Sequence, residues 1–238
     1  MPHSVHDIVY YAIGDIHGEA DMLKRLHNRI LRRHAVEYHG KIAIFVFLGD
    51  YVDRGPESYD VVKTLSDMQA ENPATIICLK GNHEQLMLNA YADLNGQPYR
   101  MWIENGGQNT VVSYRRAGFE QPPPSHLEWM AGLPSYHWDR RANLLFVHAG
   151  IDPDYFPNDG EDRHLWTRSP RFFDTSAWTN PVLDELTVVH GHTPTANYRP
   201  QIDGVFKRIN IDTGACYGGE LTAAVFAHGE APKFLSVC

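Results

Sequence analysis

Cysteine is scarce in this chain: Cys78, Cys216 and Cys238 are the three in 238 residues, far apart and in no CxxC pair. That spacing argues against a disulfide framework or a thiolate zinc knuckle and fits a reducing cytoplasm. Positive charge is short as well, with 21 Lys and Arg against 29 Asp and Glu and a formal charge of -8. Nucleic acid and anionic membrane surfaces select the opposite balance, so neither partner is expected, although a locally positive pocket stays open. Long apolar runs are missing too. IAIFVFL and ANLLFV fall far below the ~20 residues of a membrane span, and MPHSVHD lacks the basic start of a secretion signal. The expectation is a soluble, unprocessed cytoplasmic protein forming one domain over residues 1–238, a length that buries a substantial core.

What the chain does have is polar chemistry at the ends of apolar strands. IVYYAI, IAIFVFL and ATIICL are short apolar runs, each followed by a helical pattern, with Met22, Leu23, Leu26 and Ile30 on one stripe and Val61, Val62, Leu65 and Met68 on the next. This is a βαβαβα opening of an α/β fold, and GDIHG, GDYVDRG and GNHE sit at its three strand ends, where ligands of open α/β sheets collect. From about Leu94 to Arg141 the pattern loosens into a helical insertion containing ENGGQN and the breaker FEQPPPSH, read as a surface loop. NLLFVH, LTVVH, VFKRINI, ELTAAVF and KFLSV then predict a second sheet.

Collected from these strand ends, Asp15, His17, Asp50, Asn82, His148 and His192 form a set of oxygen and imidazole donors without thiolate. Such a set suits a pair of divalent first-row ions, manganese or iron, with zinc possible. A carboxylate has two oxygens, and Asp50 on the central strand is best placed to bridge two metals. GD and GN dipeptides taken singly mark only turns. Five groups in order, each ending a strand, point to a dinuclear site.

The ordered series GDIHG, GDYVDRG, GNHEQ, VHAG and GHTP resembles that of the phosphoprotein phosphatases, within the calcineurin-like metallophosphoesterases. GNHEQLM, ENGGQ, LWTR and IDTGACYGGELT are similar to the compact phage lambda and bacterial branch. The resemblance implies a sandwich of two mixed β-sheets flanked by helices, and metal-dependent hydrolysis of phosphoserine and phosphothreonine, often with manganese. It assigns Asp15, His17 and Asp50 to one metal and Asp50, Asn82, His148 and His192 to the other, with a hydroxide shared by the metals attacking phosphorus in line. It gives His83 the task of protonating the leaving oxygen, with Asp53 holding the imidazole, and gives phosphate to Arg54 and Arg168. For Arg168 the competing reading is a surface ion pair with Asp162 or Glu161. Tyr217 matches a tyrosine near the phosphate in eukaryotic relatives, against simple packing. The long carboxyl-terminal extension of many eukaryotic relatives has no counterpart.

The expected substrate is therefore a phosphorylated protein or peptide, or a small phosphate ester. The presence of Asp53 favours this over symmetrical dinucleoside tetraphosphate hydrolysis, whose enzymes typically lack that aspartate; diester cleavage is a third reading. A catalytically silent scaffold that binds phosphoproteins belongs to another class, and the intact donor set speaks against it. His190 is expected to support the ligands from behind or to be merely structural, and His3, His6, His27, His34, His39, His126, His137, His164 and His228 have no ligand spacing. Cys216 is read as a small buried residue rather than a redox sensor.

Overall fold

The structure, a computed structural model, describes residues 4–238; His3 lies outside them. The opening alternates as the sequence predicts: β1 (Ile8–Ile13), α1 (Ala20–Glu37), β2 (Ile42–Phe47), α2 (Ser58–Glu71), β3 (Ile76–Cys78) and α3 (Asn82–Ala92). All six residues of β1 are buried because both of its faces are covered. Val9, Tyr11 and Ile13 pack with Leu26, Ile30, Val61 and Leu65 of the helices, whereas Ile8, Tyr10 and Ala12 meet Phe146, Val189 and Ile209 of the second sheet. The period-two alternation of a strand thus feeds two cores at once, and each side chain of this size contributes about 1.5–3 kcal/mol on burial.

The insertion is helical: α4 (Gln97–Trp102), a π-helical turn (Ile103–Gly107), α5 (Gln108–Arg116) and α6 (Pro124–Ala131). It is more than a surface loop. Trp102, Thr110 and Tyr114 are buried, because the segment folds back on the loop after β2.

Next come β4 (Tyr136–Asp139), β5 (Leu144–Val147), α7 (Glu161–Trp166), α8 (Pro170–Phe173), β6 (Thr187–His190), β7 (Gln201–Asp203), β8 (Arg208–Asn210), β9 (Leu221–Ala227) and β10 (Lys233–Val237). Two mixed five-stranded sheets result, ordered β10-β9-β1-β2-β3 and β4-β5-β6-β8-β7. One expectation is corrected: ELTAAVF and KFLSV do not join the second sheet. They form β9 and β10, with β9 antiparallel to β1 from Val9↔Ala227 to Ile13↔Ala223. The reason lies in β1, whose second edge would otherwise leave backbone groups unpaired inside the core. Apolar alternation alone cannot say which open edge a strand will meet. Strands β4 and β7 also went unforeseen; each is a short antiparallel edge strand.

Within the first sheet β1, β2 and β3 run parallel, and within the second β5, β6 and β8 do. Their carboxyl ends deliver Asp15, Asp50, Asn82, His148, His192 and Asp212 to a common rim. No helix among the described residues is long and apolar enough to cross a membrane.

Candidate active site

The loops at this rim are held in unusual backbone. His17, Asp50, Asp53, Arg54 and His192 all have positive φ, between 45° and 71°. That region costs an L-residue roughly 1–2 kcal/mol, so it persists only where the surroundings fix it. Two glycines make the close approaches possible: a Cβ on Gly191 would lie 2.0 Å from Asp15 Oδ1, and one on Gly81 would lie 2.3 Å from Asp50 Oδ1.

The buried carboxylate of Glu84 does much of the fixing. Its oxygens accept the backbone N–H groups of Asp50, Gly81 and Tyr51, each at 2.8 Å. The GNHE motif by itself assigns Glu84 no role. The available signal was a glutamate at the third position of α3, where a side chain reaches back to the N-cap amide. Asp50 itself accepts the His83 amide at 3.0 Å, again from the first turn of α3.

Four of the donors named from sequence, His17, Asp50, His148 and His192, lie close together, with His83 beside them. Donor atoms of Asp50, His148 and His192 lie within 4.8 Å of one another, and so do those of His17, Asp50 and His83. Asp50 belongs to both groups, which suits the bridging position. His148 donates Nδ1–H to Leu48 O at 2.9 Å, leaving a lone pair on Nε2 that faces Asn82 Oδ1 at 2.9 Å and Asp50 Oδ1 at 3.4 Å. His17 donates Nδ1–H to Val52 O at 2.8 Å and turns Nε2 toward Asp50 Oδ2 at 3.4 Å. Buried imidazole nitrogens and carboxylate and amide oxygens facing one another are a donor set that suits a divalent cation. Oxygen and imidazole without thiolate fit manganese, iron or zinc.

Asp15 is at the rim as well, following β1. Its carboxylate accepts the His192 amide at 2.9 Å and lies close to Asp212, a residue that sequence reasoning passed over although it too follows a strand. Burial, with Asp212 and Asp50 nearby, pushes the Asp15 carboxyl well up, and burial pushes Asp212 up to about 7. Burial also raises Asp50, but the imidazoles around it, His148 foremost, hold it below the usual carboxylate range. Desolvation lowers His17 to about 3 and His192 to about 2, so both rings are neutral and able to offer lone pairs.

Beside this cluster His83 Nδ1 and Asp53 Oδ2 are 2.7 Å apart, both side chains buried. Burial alone would lower the His83 pKa; Asp50 and Asp53 outweigh it and raise it. Asp53 is gripped from the insertion, by Trp102 Nε1–H at 2.9 and 3.0 Å and by the Thr110 hydroxyl at 2.7 Å. Neither residue was singled out from sequence, because the partners lie 49 and 57 positions apart in the chain.

Arg54 donates to His17 Nε2 at 2.5 Å, and its guanidinium lies 5.4 Å from the centroid of the Tyr217 ring, within cation–π range. Tyr217 is therefore packed on the site arginine while 49% exposed. Arg168 donates Nε–H to His192 Nε2 at 3.1 Å, and Glu161 instead pairs with Lys80 at 3.0 Å. The surface ion pair weighed for Arg168 is not formed. His190 is buried, facing Gly191 O and Arg208. His34, His126 and His164 bond to Tyr11, Tyr114 and Ser135. Burial raises the Cys216 thiol to about 12, far from the thiolate a redox sensor needs.

Residues 8–228 match the calcineurin-like phosphoesterase family. Bis(5'-nucleosyl)-tetraphosphatase PrpE [asymmetrical] of Halalkalibacterium halodurans is 28% identical over 232 residues, covering 90% of this chain and 88% of that protein. Serine/threonine-protein phosphatase 2 of Escherichia coli is 36% identical over 97 residues, 41% of this chain and 38% of its own. The crystal structure of a candidate diadenosine tetraphosphatase superimposes with a TM-score of 0.65 at 23% identity, covering 96% of this chain and 93% of that one. That last likeness is one of fold.

Proposed function

Since the chain belongs to the calcineurin-like phosphoesterase family and is a metal-dependent phosphatase, we propose that it hydrolyses phosphomonoesters of serine and threonine in phosphorylated proteins. The observation that carries this reading is the buried His83–Asp53 pair. A serine or threonine alkoxide is a poor leaving group and departs only as it gains a proton. Asp53 occupies His83 Nδ1, which leaves Nε2 to deliver that proton, and the raised His83 pKa keeps the imidazolium populated nearer neutrality.

Asp15, His17 and Asp50 would hold one divalent ion and Asp50, Asn82, His148 and His192 a second, with manganese the expected metal. Bound there, the ions supply Lewis acidity at the phosphoryl oxygens and lower the pKa of water. The chain's own groups do the rest. Arg54 and Arg168 offer N–H donors to phosphate oxygens and offset charge. Tyr217 would lie beside the bound phosphate, with its ring within cation–π range of the Arg54 guanidinium. Glu84 keeps Asp50 in its left-handed conformation.

A second reading is dinucleoside tetraphosphate hydrolysis, favoured by the likeness to PrpE, which covers 90% of this chain, whereas the likeness to the E. coli phosphatase covers 41%. The PrpE name specifies asymmetrical cleavage, whereas the sequence-based alternative was symmetrical. The two readings differ in the leaving group, since a nucleotide phosphate needs less help from an acid. Manganese-loaded protein should show the higher kcat/KM on a phosphothreonine peptide than on diadenosine tetraphosphate. The reverse order assigns the protein to nucleotides, and the products, ATP with AMP or two ADP, then give the cleavage position. Turnover of p-nitrophenyl phosphate that depends on added metal excludes the silent scaffold.

A further inference from the structure

One segment of the insertion grips both polar residues that follow Asp50. Trp102 Nε1–H reaches both Asp53 oxygens, and Thr110 contacts Asp53 twice: its hydroxyl donates to Oδ1 at 2.7 Å and accepts the Asp53 amide at 2.8 Å. Ser58 Oγ lies 3.0 Å from the same hydroxyl. One proton donated and two accepted saturate Thr110, so its rotor is fixed. Further along, Gly106 O accepts the Arg54 amide at 3.2 Å, and Asn109 donates its side-chain N–H to Arg54 O. Gly106 has φ 105°, and a Cβ there would lie 3.0 Å from Arg54 Cγ. Asp53 and Arg54 both have positive φ.

We infer that Thr110 and Trp102 are positioning residues for leaving-group protonation, acting on substrate only through Asp53 and His83. A carboxylate with three fixed donors cannot rotate, so Oδ2 stays on His83 Nδ1 and the imidazole keeps the orientation and tautomer that present Nε2. The segment that looked like a surface insertion is thus part of the acid's support. The inference rests on the reading of His83 as that acid.

The test is a leaving-group ratio, kcat/KM on a phosphoserine peptide divided by kcat/KM on p-nitrophenyl phosphate, whose phenolate departs almost unaided. Thr110→Val keeps the shape and removes the hydroxyl, and it should lower the ratio about tenfold, a fraction of the full effect of a general acid. Thr110→Ser should restore it. In a His83→Ala background Thr110→Val should leave the ratio where His83→Ala set it, because the support has nothing left to position. Asn109→Ala touches Arg54 alone, and it should change KM for both substrates in parallel without moving the ratio. If Thr110→Val does not fold, Trp102→Phe keeps the buried ring, loses the N–H and carries the same expectation. Equal losses on both substrates in Thr110→Val, or a fall in the ratio that persists in the His83→Ala background, overturn the positioning role alone. A His83→Ala protein with an unchanged ratio overturns both the acid reading and this one.

Discussion

The two sheets contribute to the rim in different ways. The first sheet supplies Asp15, His17, Asp50, Asn82 and the His83–Asp53 pair, and nearly every one of these is tied down by a second group: His17 by Val52 O, Asp50 by Glu84, Asp53 by Trp102 and Thr110. The second supplies His148 and His192. His148 is tied to Leu48 O, a group of the first sheet, while the ring of His192 meets the exposed Arg168. Proton transfer demands geometry fixed to fractions of an ångström, and that half is buried and held by several hydrogen bonds. Phosphate approaches from solvent, and the exposed arginine is on the other half.

The largest effect that would break this comparison is at the shared ligand. Asp50→Asn should lower kcat/KM about a thousandfold, the upper end for losing one charge-stabilising group, and metal per chain measured after gel filtration should fall with it. Retention of both metals would remove Asp50 from the bridging position. Arg54→Ala should cost about a hundredfold in kcat/KM, within the range for a single donor to developing charge. Replacing Glu84 by Gln keeps the shape but puts an amide donor against backbone N–H groups. It should destabilise the protein by about 2–3 kcal/mol, read as a shift in urea midpoint, because buried donors lose their acceptor. Arg168→Ala, on the exposed half, should raise KM for a phosphopeptide only about fivefold. An Arg168 effect equal to that of Arg54 would erase the distinction between the halves.

A pH profile sharpens the same contrast. His83 has a raised pKa and serves as imidazolium, so its contribution is present below that pKa and is lost as pH rises through it. The profile of kcat/KM for phosphoserine peptides should therefore fall on a basic limb that is absent for p-nitrophenyl phosphate.

How much of this could be read from the sequence follows from the range of the interactions. Donors that end consecutive strands announce themselves locally, as apolar runs stopping at GD, GN or GH, and Asp15, His17, Asp50, Asn82, His148 and His192 all arrive at the rim. Asp212 obeys the same rule after β8, but in DTG the aspartate precedes a Thr-Gly turn and reads as part of that turn rather than as a strand end. Glu84 was legible as a helix N-terminal glutamate. Trp102 and Thr110 were not, since their hydrogen bonds to Asp53 close loops of about fifty residues and leave no periodic trace. The sheet assignment of β9 failed for a similar reason: its pattern says that both faces are buried, and says nothing of which edge it will cover.

The account stands on His83 as the acid for an alkoxide leaving group. The most direct measurement is kcat/KM for wild type and His83→Ala across a series of alkyl and aryl phosphates of increasing leaving-group pKa, with manganese saturating. A general acid predicts that the loss grows with leaving-group pKa, from slight for p-nitrophenyl phosphate to about a hundredfold or more for phosphoserine. A loss of equal size across the series would mean that His83 serves the site in some other way, and that the dyad does not favour phosphoproteins over nucleotides.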